Sequence, residues 1–191
     1  MFDLLSFGYI GLFLLSFAFN MLPFMGPSNA LLAGALAASL PWANPLLTGV
    51  LVALSASLAK LIHFLAAFFL RGALSSERKE KLDQYIGRRG NVGSLLLFIA
   101  AVTSIPDEPV VIPLGLVKYS PAKFFVIYLL GKILIAIPGA YIGSKIPLSD
   151  LVGSPIAAVL SICATIVVTY ILMKIDLKKL IGKITIKTVE E

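Results

Sequence analysis

The chain has 191 residues, of which 59% are hydrophobic and 14% are charged, and its formal net charge is +6 at pH 7. This number of polar residues is too small to cover the surface of a water-soluble globule. The composition therefore excludes a soluble domain and indicates an integral membrane protein. The single cysteine, Cys163, excludes an intrachain disulfide and supports no metal or redox motif.

The first predicted element is a broken helical stretch over residues 4–43. Pro23, Gly26 and Pro27 interrupt it, and proline lacks a backbone N–H and disfavours helix at the preceding residue. Two half-length arms around such a break predict a re-entrant hairpin, which membranes tolerate only where it is buried in protein or lines a wet cavity. The sequence leaves open whether residues 4–22 form the entering arm or a full span.

Three apolar runs are predicted to span the membrane: residues 44–70, 122–143 and 152–173. Each is long enough for a helix, at about 1.5 Å per residue, to cross roughly 30 Å of hydrocarbon. Between the first two lies a second proline-interrupted stretch, residues 91–121, which predicts a second re-entrant hairpin. The residues that we assign to the two breaks are Pro23, Gly26, Pro27, Pro106, Pro109, Gly115 and Gly131.

Weak internal similarity relates the two hairpins. Pairing Gly34 with Gly115 also pairs Ser39 with Ser120, and each hairpin leads into one full span.

Basic residues concentrate in the link 71–90 and in the tail 174–191, and the positive-inside rule places both on the cytoplasmic side, with the connection 144–150 outside. The hairpins then open to opposite sides, which is the inverted-repeat plan of many transporters. We therefore predict an all-α integral membrane protein with two inverted repeats, each a re-entrant hairpin plus a transmembrane helix, and an additional C-terminal transmembrane helix. Residues 1–174 form a single transmembrane domain.

Because topology explains the basic segments, no nucleic-acid partner is predicted. Membrane lipids are the expected partners, since anionic lipid of the inner leaflet attracts such segments. The sequence leaves open whether copies of the chain form a homo-oligomer.

The stretch "SIPDEPVVIPLG" places two adjacent acids, Asp107 and Glu108, at membrane depth. By helical rise the arm after Pro109 covers about 12 Å and Lys132 lies about 15 Å into the returning span, so the acids and Lys132 share a similar depth. Unpaired charges there are costly and mark functional pathways. The acids are predicted to form a protonatable or cation-binding gate held by Lys132; the alternative is that Asp107 only caps a helix.

The other break has the opposite character. Ser28 or Asn29 can cap a half-helix whose free amides and positive dipole end suit a phosphate. Lys60, with His63 one helical turn on, can supply positive charge to the same cavity. The alternatives are that Lys60 extends to the membrane surface and that His63 only makes an interhelical hydrogen bond.

The segments "MLPFMGPSNALLAGAL" and "AVTSIPDEPVVIPLGLVKYSPAKFFVIYLLGK" resemble the VTT-domain family, also called DedA or SNARE-associated Golgi proteins, and especially its YqaA-like and archaeal branch. The resemblance covers roughly residues 20–145 and implies two facing re-entrant hairpins. We expect a prokaryotic plasma membrane protein, and the basic charge of the tail places its C-terminus in the cytoplasm. The resemblance also implies movement of lipids between leaflets, including polyprenyl-phosphate carriers and phospholipids. The matching pattern positions are Pro106, Asp107, Gly115, Gly131 and Lys132.

Two departures limit what the resemblance implies. Many members have a glutamate where Asn20 falls, and arginines where this chain has Thr103 and Pro109. A transport mechanism that needs those charges is therefore not carried over to this chain.

The predicted function is a translocase or scramblase of phosphorylated lipids; a proton- or cation-coupled transporter of a small solute is the alternative, and a structural or assembly protein is a third class. An enzyme is not expected, because the sequence shows no nucleophile–base pair, metal cluster or phosphate loop, and no cofactor is predicted. The candidate pathway residues are Asp107, Glu108, Lys132, Ser28, Asn29, Asn20, Lys60 and His63.

Overall fold

The computed structural model describes residues 7–23, 27–40, 42–73, 90–103 and 107–145, together with residues 76, 77 and 80. These residues lie in one compact unit, Met1–Ser149, and the regular structure among them is helical. The α-helices of this part of the chain include α1 (Gly8–Met21), α2 (Asn29–Ser39), α3 (Pro45–Leu70), α4 (Gly90–Val102), α5 (Glu108–Leu116) and α6 (Pro121–Lys145). A short 3-10 helix, Arg71–Ala73, follows α3. The predicted span 152–173 and the basic tail 174–191 lie outside the described residues.

Both proline-interrupted stretches divide into two helices. The first stretch breaks between Met21 and Asn29, and the second breaks between Val102 and Glu108. The Ser28 hydroxyl caps α2 by accepting a hydrogen bond from the backbone N–H of Leu31 at 3.3 Å. Each break therefore ends at the start of a new helix.

Three residues that we assigned to the breaks lie inside helices instead. Pro109 is in the first turn of α5, where its missing N–H leaves no intrahelical bond unmade. Gly115 lies in α5 and Gly131 in α6, and both are contact points between helices. A Cβ on Gly131 would lie 2.6 Å from the Cβ of Ala101 in α4. Pro23 and Pro27 lie within the first break, as predicted, whereas Gly26 and Pro106 lie outside the described residues.

The four short helices form two pairs, α1 with α2 and α4 with α5. In each pair the beginning of the first helix lies beside the end of the second, and we call these the outer ends of the pair. At the first pair, the Tyr9 hydroxyl of α1 accepts a hydrogen bond at 2.9 Å from the backbone N–H of Asn44, which follows α2. At the second pair, the hydroxyls of Ser94 in α4 and Tyr119 just after α5 are 2.6 Å apart. The first contact lies at the N-terminal end of α3. The second lies near its C-terminal end, where Arg71 donates a 2.7 Å hydrogen bond to the Leu116 carbonyl.

The short helices pack on the long ones in a crossed pattern. The first helix of each pair packs on the long helix that follows its own pair: α1 on α3, and α4 on α6. The second helix of each pair packs on the other long helix: α2 on α6, and α5 on α3. The two long helices also pack on each other. Glycines permit the closest crossings: Gly34 of α2 faces Gly139 and Gly143 of α6. Gly115 of α5 lies against Ala67 and the Phe64 carbonyl of α3.

Helices α3 and α6 are long and apolar enough to cross a membrane. Helix α1 has 14 residues and is about 21 Å long. Residues 4–6 of the predicted stretch 4–22 lie outside the described residues. The described residues expose many large apolar side chains, which suits contact with hydrocarbon. They include Ile10, Phe69, Leu70, Leu134 and Ile142, each at least half exposed.

Candidate functional site

Four charged side chains and a tyrosine are buried together where α3, α5 and α6 meet. None is more than 5% exposed to solvent. We call these five residues the ion-pair cluster; they are Lys60 of α3, Asp107 and Glu108 at the start of α5, and Tyr128 and Lys132 of α6.

Asp107 is the centre of the ion-pair cluster. Its two carboxylate oxygens lie 3.4 Å from the Lys60 Nζ and 3.1 Å from the Lys132 Nζ. The Tyr128 hydroxyl donates a hydrogen bond to the oxygen that faces Lys132. The Lys132 ammonium also lies 4.9 Å from the centroid of the Tyr128 ring, which is a favourable cation–π distance.

Lys60 joins the second acid to the ion-pair cluster by a salt bridge from its Nζ to the Glu108 Oε1. The two lysines and the two acids give the cluster a formal net charge of zero. Neutrality is what burial requires, because a buried charge is stable only when it is paired and hydrogen-bonded.

The local fold explains why these side chains meet. Lys60 and Lys132 lie near the middle of the two long helices, which pack on each other. Lys60, Phe64 and Ala67 share one face of α3 by their spacing. Gly115 of α5 contacts Phe64 and Ala67 on that face, so the start of α5 is brought beside Lys60.

The contact between Asp107 and Lys132 that helical rise predicts is present. Asp107 makes no side-chain capping bond to α5, so the alternative that it only caps the helix is wrong. Lys60, which we expected to supply charge beside Ser28 and Asn29, forms salt bridges with Asp107 and Glu108. Tyr128 was not predicted, although its position one turn before Lys132 on α6 was a signal for it.

The start of α2 lacks charged side chains and has one buried polar side chain, that of Asn29. Asn29 is 5% exposed, and its Oδ1 has no hydrogen-bond partner among the described residues. Its neighbour Ser28 uses its hydroxyl as the helix cap. The two helix starts thus differ as the sequence predicts: acids at α5, and only neutral donors and acceptors at α2.

Two further predicted residues lie beside α1. Asn20 is buried in the last turn of α1 and donates a 2.9 Å hydrogen bond to the Ser16 carbonyl. His63 is half-buried on α3, and its Nδ1 has no partner in the part of the chain that the structure describes. In the same part of the chain, no three His, Cys, Asp or Glu side chains are grouped to hold a metal ion.

A family model described as the VTT domain matches residues 22–145, which is more than half of the chain. The matched region contains helices α2 to α6 and all five residues of the ion-pair cluster. No curated protein and no solved structure matches the chain. The match confirms the resemblance drawn from the sequence.

Proposed function

Because the chain belongs to the VTT-domain family of membrane proteins, we propose that it moves phosphorylated lipids between the two leaflets, as a translocase or scramblase. The phospholipids or polyprenyl phosphates that it carries have an anionic headgroup and a long apolar tail. The headgroup crosses through the protein between the two helix breaks, and the tail stays in the surrounding lipid.

Two re-entrant hairpins supply the frame for this path. In support, helices α1, α2, α4 and α5 have 14, 11, 13 and 9 residues, and at about 1.5 Å per residue each is too short to cross roughly 30 Å of hydrocarbon. The contacts of Tyr9 with Asn44 and of Ser94 with Tyr119 join the outer ends of each pair. Each pair therefore enters and leaves on one side.

The two hairpins enter from opposite sides, as inverted repeats do. Their outer ends lie at opposite ends of α3. The main packing contacts support the same relation. Exchanging α1, α2 and α3 for α4, α5 and α6 turns the α1–α3 contact into the α4–α6 contact and the α2–α6 contact into the α5–α3 contact. The smaller α2–α3 and α4–α5 contacts have no counterpart of similar extent among the described residues. Under this exchange, Ser28 and Asn29 at the start of α2 correspond to Asp107 and Glu108 at the start of α5.

The observation that carries the proposal is the ion-pair cluster. A phosphate that crosses the membrane needs hydrogen-bond donors and positive charge, which hydrocarbon does not provide. Lys60 and Lys132 supply positive charge near the middle of the spans, and the start of α2 supplies free backbone amides. Protonation of Asp107 or Glu108 releases a lysine to the phosphate, and ionisation of the acid displaces the phosphate again.

The topology of this proposal places the link 71–90 and the C-terminus in the cytoplasm of a prokaryotic cell, and residues 144–150 outside. In a Cys163→Ser background, an impermeant thiol reagent added to intact cells should modify Ser149→Cys but not Ser76→Cys. The reason is the basic charge of the link, which is retained on the inner side. Modification of Ser76→Cys alone would contradict the orientation of both hairpins.

The alternative function is a proton- or cation-coupled carrier of a small solute. The buried pair of acids, Asp107 and Glu108, favours it, since intramembrane carboxylates bind coupling ions in many transporters. In this case the solute, rather than a lipid headgroup, passes between the helix breaks.

Purified protein in sealed vesicles separates the two functions. A lipid with a fluorescent headgroup is placed in both leaflets, and an impermeant quencher is added outside. With the protein, we expect the quencher to remove the fluorescence of lipid from both leaflets. Without the protein, we expect it to remove only the fluorescence of lipid in the outer leaflet. Uptake of solute driven by a pH gradient, with the inner-leaflet lipid still protected, would support the carrier and contradict lipid translocation.

A further inference from the structure

A line of polar side chains is buried between α1 and α3. We call it the α1–α3 seam; its members are Ser16 and Asn20 of α1 and Thr48, Ser55 and His63 of α3. Ser16, Thr48 and Ser55 are 0% exposed and Asn20 is 6% exposed. The outer face of α1 is apolar, with Ile10, Leu14 and Phe19 exposed, so α1 directs its polar side chains toward the protein.

The centre of the α1–α3 seam is hydrogen-bonded, whereas each end has one polar atom without a partner in the described part of the chain. His63 also makes a hydrogen bond to the backbone of Met21 at the end of α1, in agreement with the interhelical hydrogen bond named as its alternative role. The hydroxyl oxygens of Ser16 and Ser55 are 2.7 Å apart, and Asn20 donates to the Ser16 carbonyl. At the ends, Thr48 Oγ1 and His63 Nδ1 are buried without a partner among the described residues. Buried polar atoms in folded proteins nearly always make a hydrogen bond to protein or to water. We therefore expect a bound water molecule at each end of the seam.

The α1–α3 seam begins at one end of α3 and reaches toward the ion-pair cluster. From Thr48 to His63 it covers about 22 Å along the helix. Thr48 lies in the first turn of α3, next to the contact between Tyr9 and Asn44. At 3.6 residues per turn, the angle around the axis of α3 is about 80° from Ser55 to His63 and about 140° from Ser55 to Lys60. His63 therefore faces a direction between those of Ser55 and Lys60.

The charged neighbours of His63 are members of the ion-pair cluster. They are Lys60 on its own helix and Asp107 and Glu108 on α5. Helix α1 brings no charged side chain to the seam, since Gly8–Met21 contains none. His63 is thus the residue of the seam that lies within electrostatic reach of the cluster.

We propose that the α1–α3 seam is a water path from the Asn44 end of α3 to the ion-pair cluster, with His63 as the last link before Lys60. The inference rests on the proposed function only in its membrane arrangement, in which the Asn44 end of α3 faces water. Water on this path exchanges protons with the buried carboxylates while the long helices stay packed.

Cysteine reactivity tests the path. In a Cys163→Ser background, Ser55→Cys is compared with Ala53→Cys, which lies two residues away in the apolar core formed with α2. A small, positively charged, impermeant methanethiosulfonate is added on the side of the Asn44 end. We expect Ser55→Cys to react about tenfold faster or more, because the reactive thiolate forms only where water reaches it. Equal slow reaction of the two variants would overturn the proposal.

Two further measurements keep the test decisive. Ser16→Cys, which faces Ser55 across the seam, replaces Ser55→Cys if that variant does not fold. The Thr48→Val variant tests the same path without a reagent. It lowers the melting temperature if a water molecule is hydrogen-bonded to the Thr48 hydroxyl. It raises the melting temperature if the hydroxyl is buried dry and unpaired, and that result would overturn the path.

The outcome is separable from that of the proposed function, because labelling requires no movement of lipid. If Ser55→Cys reacts quickly in protein that moves no lipid, the result contradicts lipid translocation and still supports the water path. Lipid movement with an unreactive seam would overturn the path alone.

Discussion

Lys132→Met should lower the free energy of unfolding in detergent by about 3–5 kcal/mol, the loss typical when one partner of a buried ion pair is removed. The change leaves the ion-pair cluster with one cation, Lys60, and two acids, so it buries an uncompensated negative charge. Asp107→Asn should act in the same direction, because it leaves two lysines with one acid. Chemical denaturation in a single detergent measures both losses.

The double variant Asp107→Asn/Lys132→Met should recover part of the loss, because Lys60 and Glu108 remain as a neutral pair. Lys123→Met is the matched control: it makes the same substitution on α6 at an exposed position, where the expected change is within about 0.5 kcal/mol. Losses in the double variant that equal the sum of the single losses would show that Asp107 and Lys132 are not coupled.

Gly139→Ala should destabilise the protein by about 3 kcal/mol, the upper end of what overpacking a core costs. The new Cβ would lie 2.8 Å from the Cα of Ala30 and 2.9 Å from its carbonyl carbon. Both are backbone atoms, so α2 must move away from α6. The sign is diagnostic, because Gly→Ala in a helix interior is otherwise stabilising by about 1 kcal/mol.

Gly72→Ala is the control for this prediction, since a Cβ there meets no atom within 4 Å. The midpoint of thermal unfolding should fall for Gly139→Ala and stay near the wild-type value for Gly72→Ala. An unchanged midpoint for Gly139→Ala would mean that α2 and α6 are not held in close contact at Ala30.

The features that the sequence predicts well are those that depend on local chemistry. Proline lacks a backbone N–H and disfavours a helix interior, so both breaks were visible without a structure. Proline alone does not decide the matter, because Pro113 and Pro138 lie inside α5 and α6. The contact of Asp107 with Lys132 followed from counting helical rise along one hairpin and its span. Both features depend on a short stretch of chain and on no choice of packing partner.

The features that the sequence did not predict depend on which helices touch. Lys60 was placed with α2, although it pairs with Asp107 and Glu108, because nothing local shows that α5 packs on α3. Gly115 illustrates the same limit: a glycine in an apolar run fits a break as well as a close helix crossing. Only its contact with α3 shows which role it has.

In the proposed mechanism, phosphorylated lipid crosses the membrane through the ion-pair cluster. The most direct measurement is the initial rate at which a fluorescent anionic lipid becomes accessible across vesicles that contain either wild-type protein or the folded Asp107→Asn/Lys132→Met variant. We predict rapid movement with the wild type and movement near the protein-free rate with the variant, because the variant lacks Lys132 and keeps Lys60 paired with Glu108. Equal rates for both proteins would contradict the account.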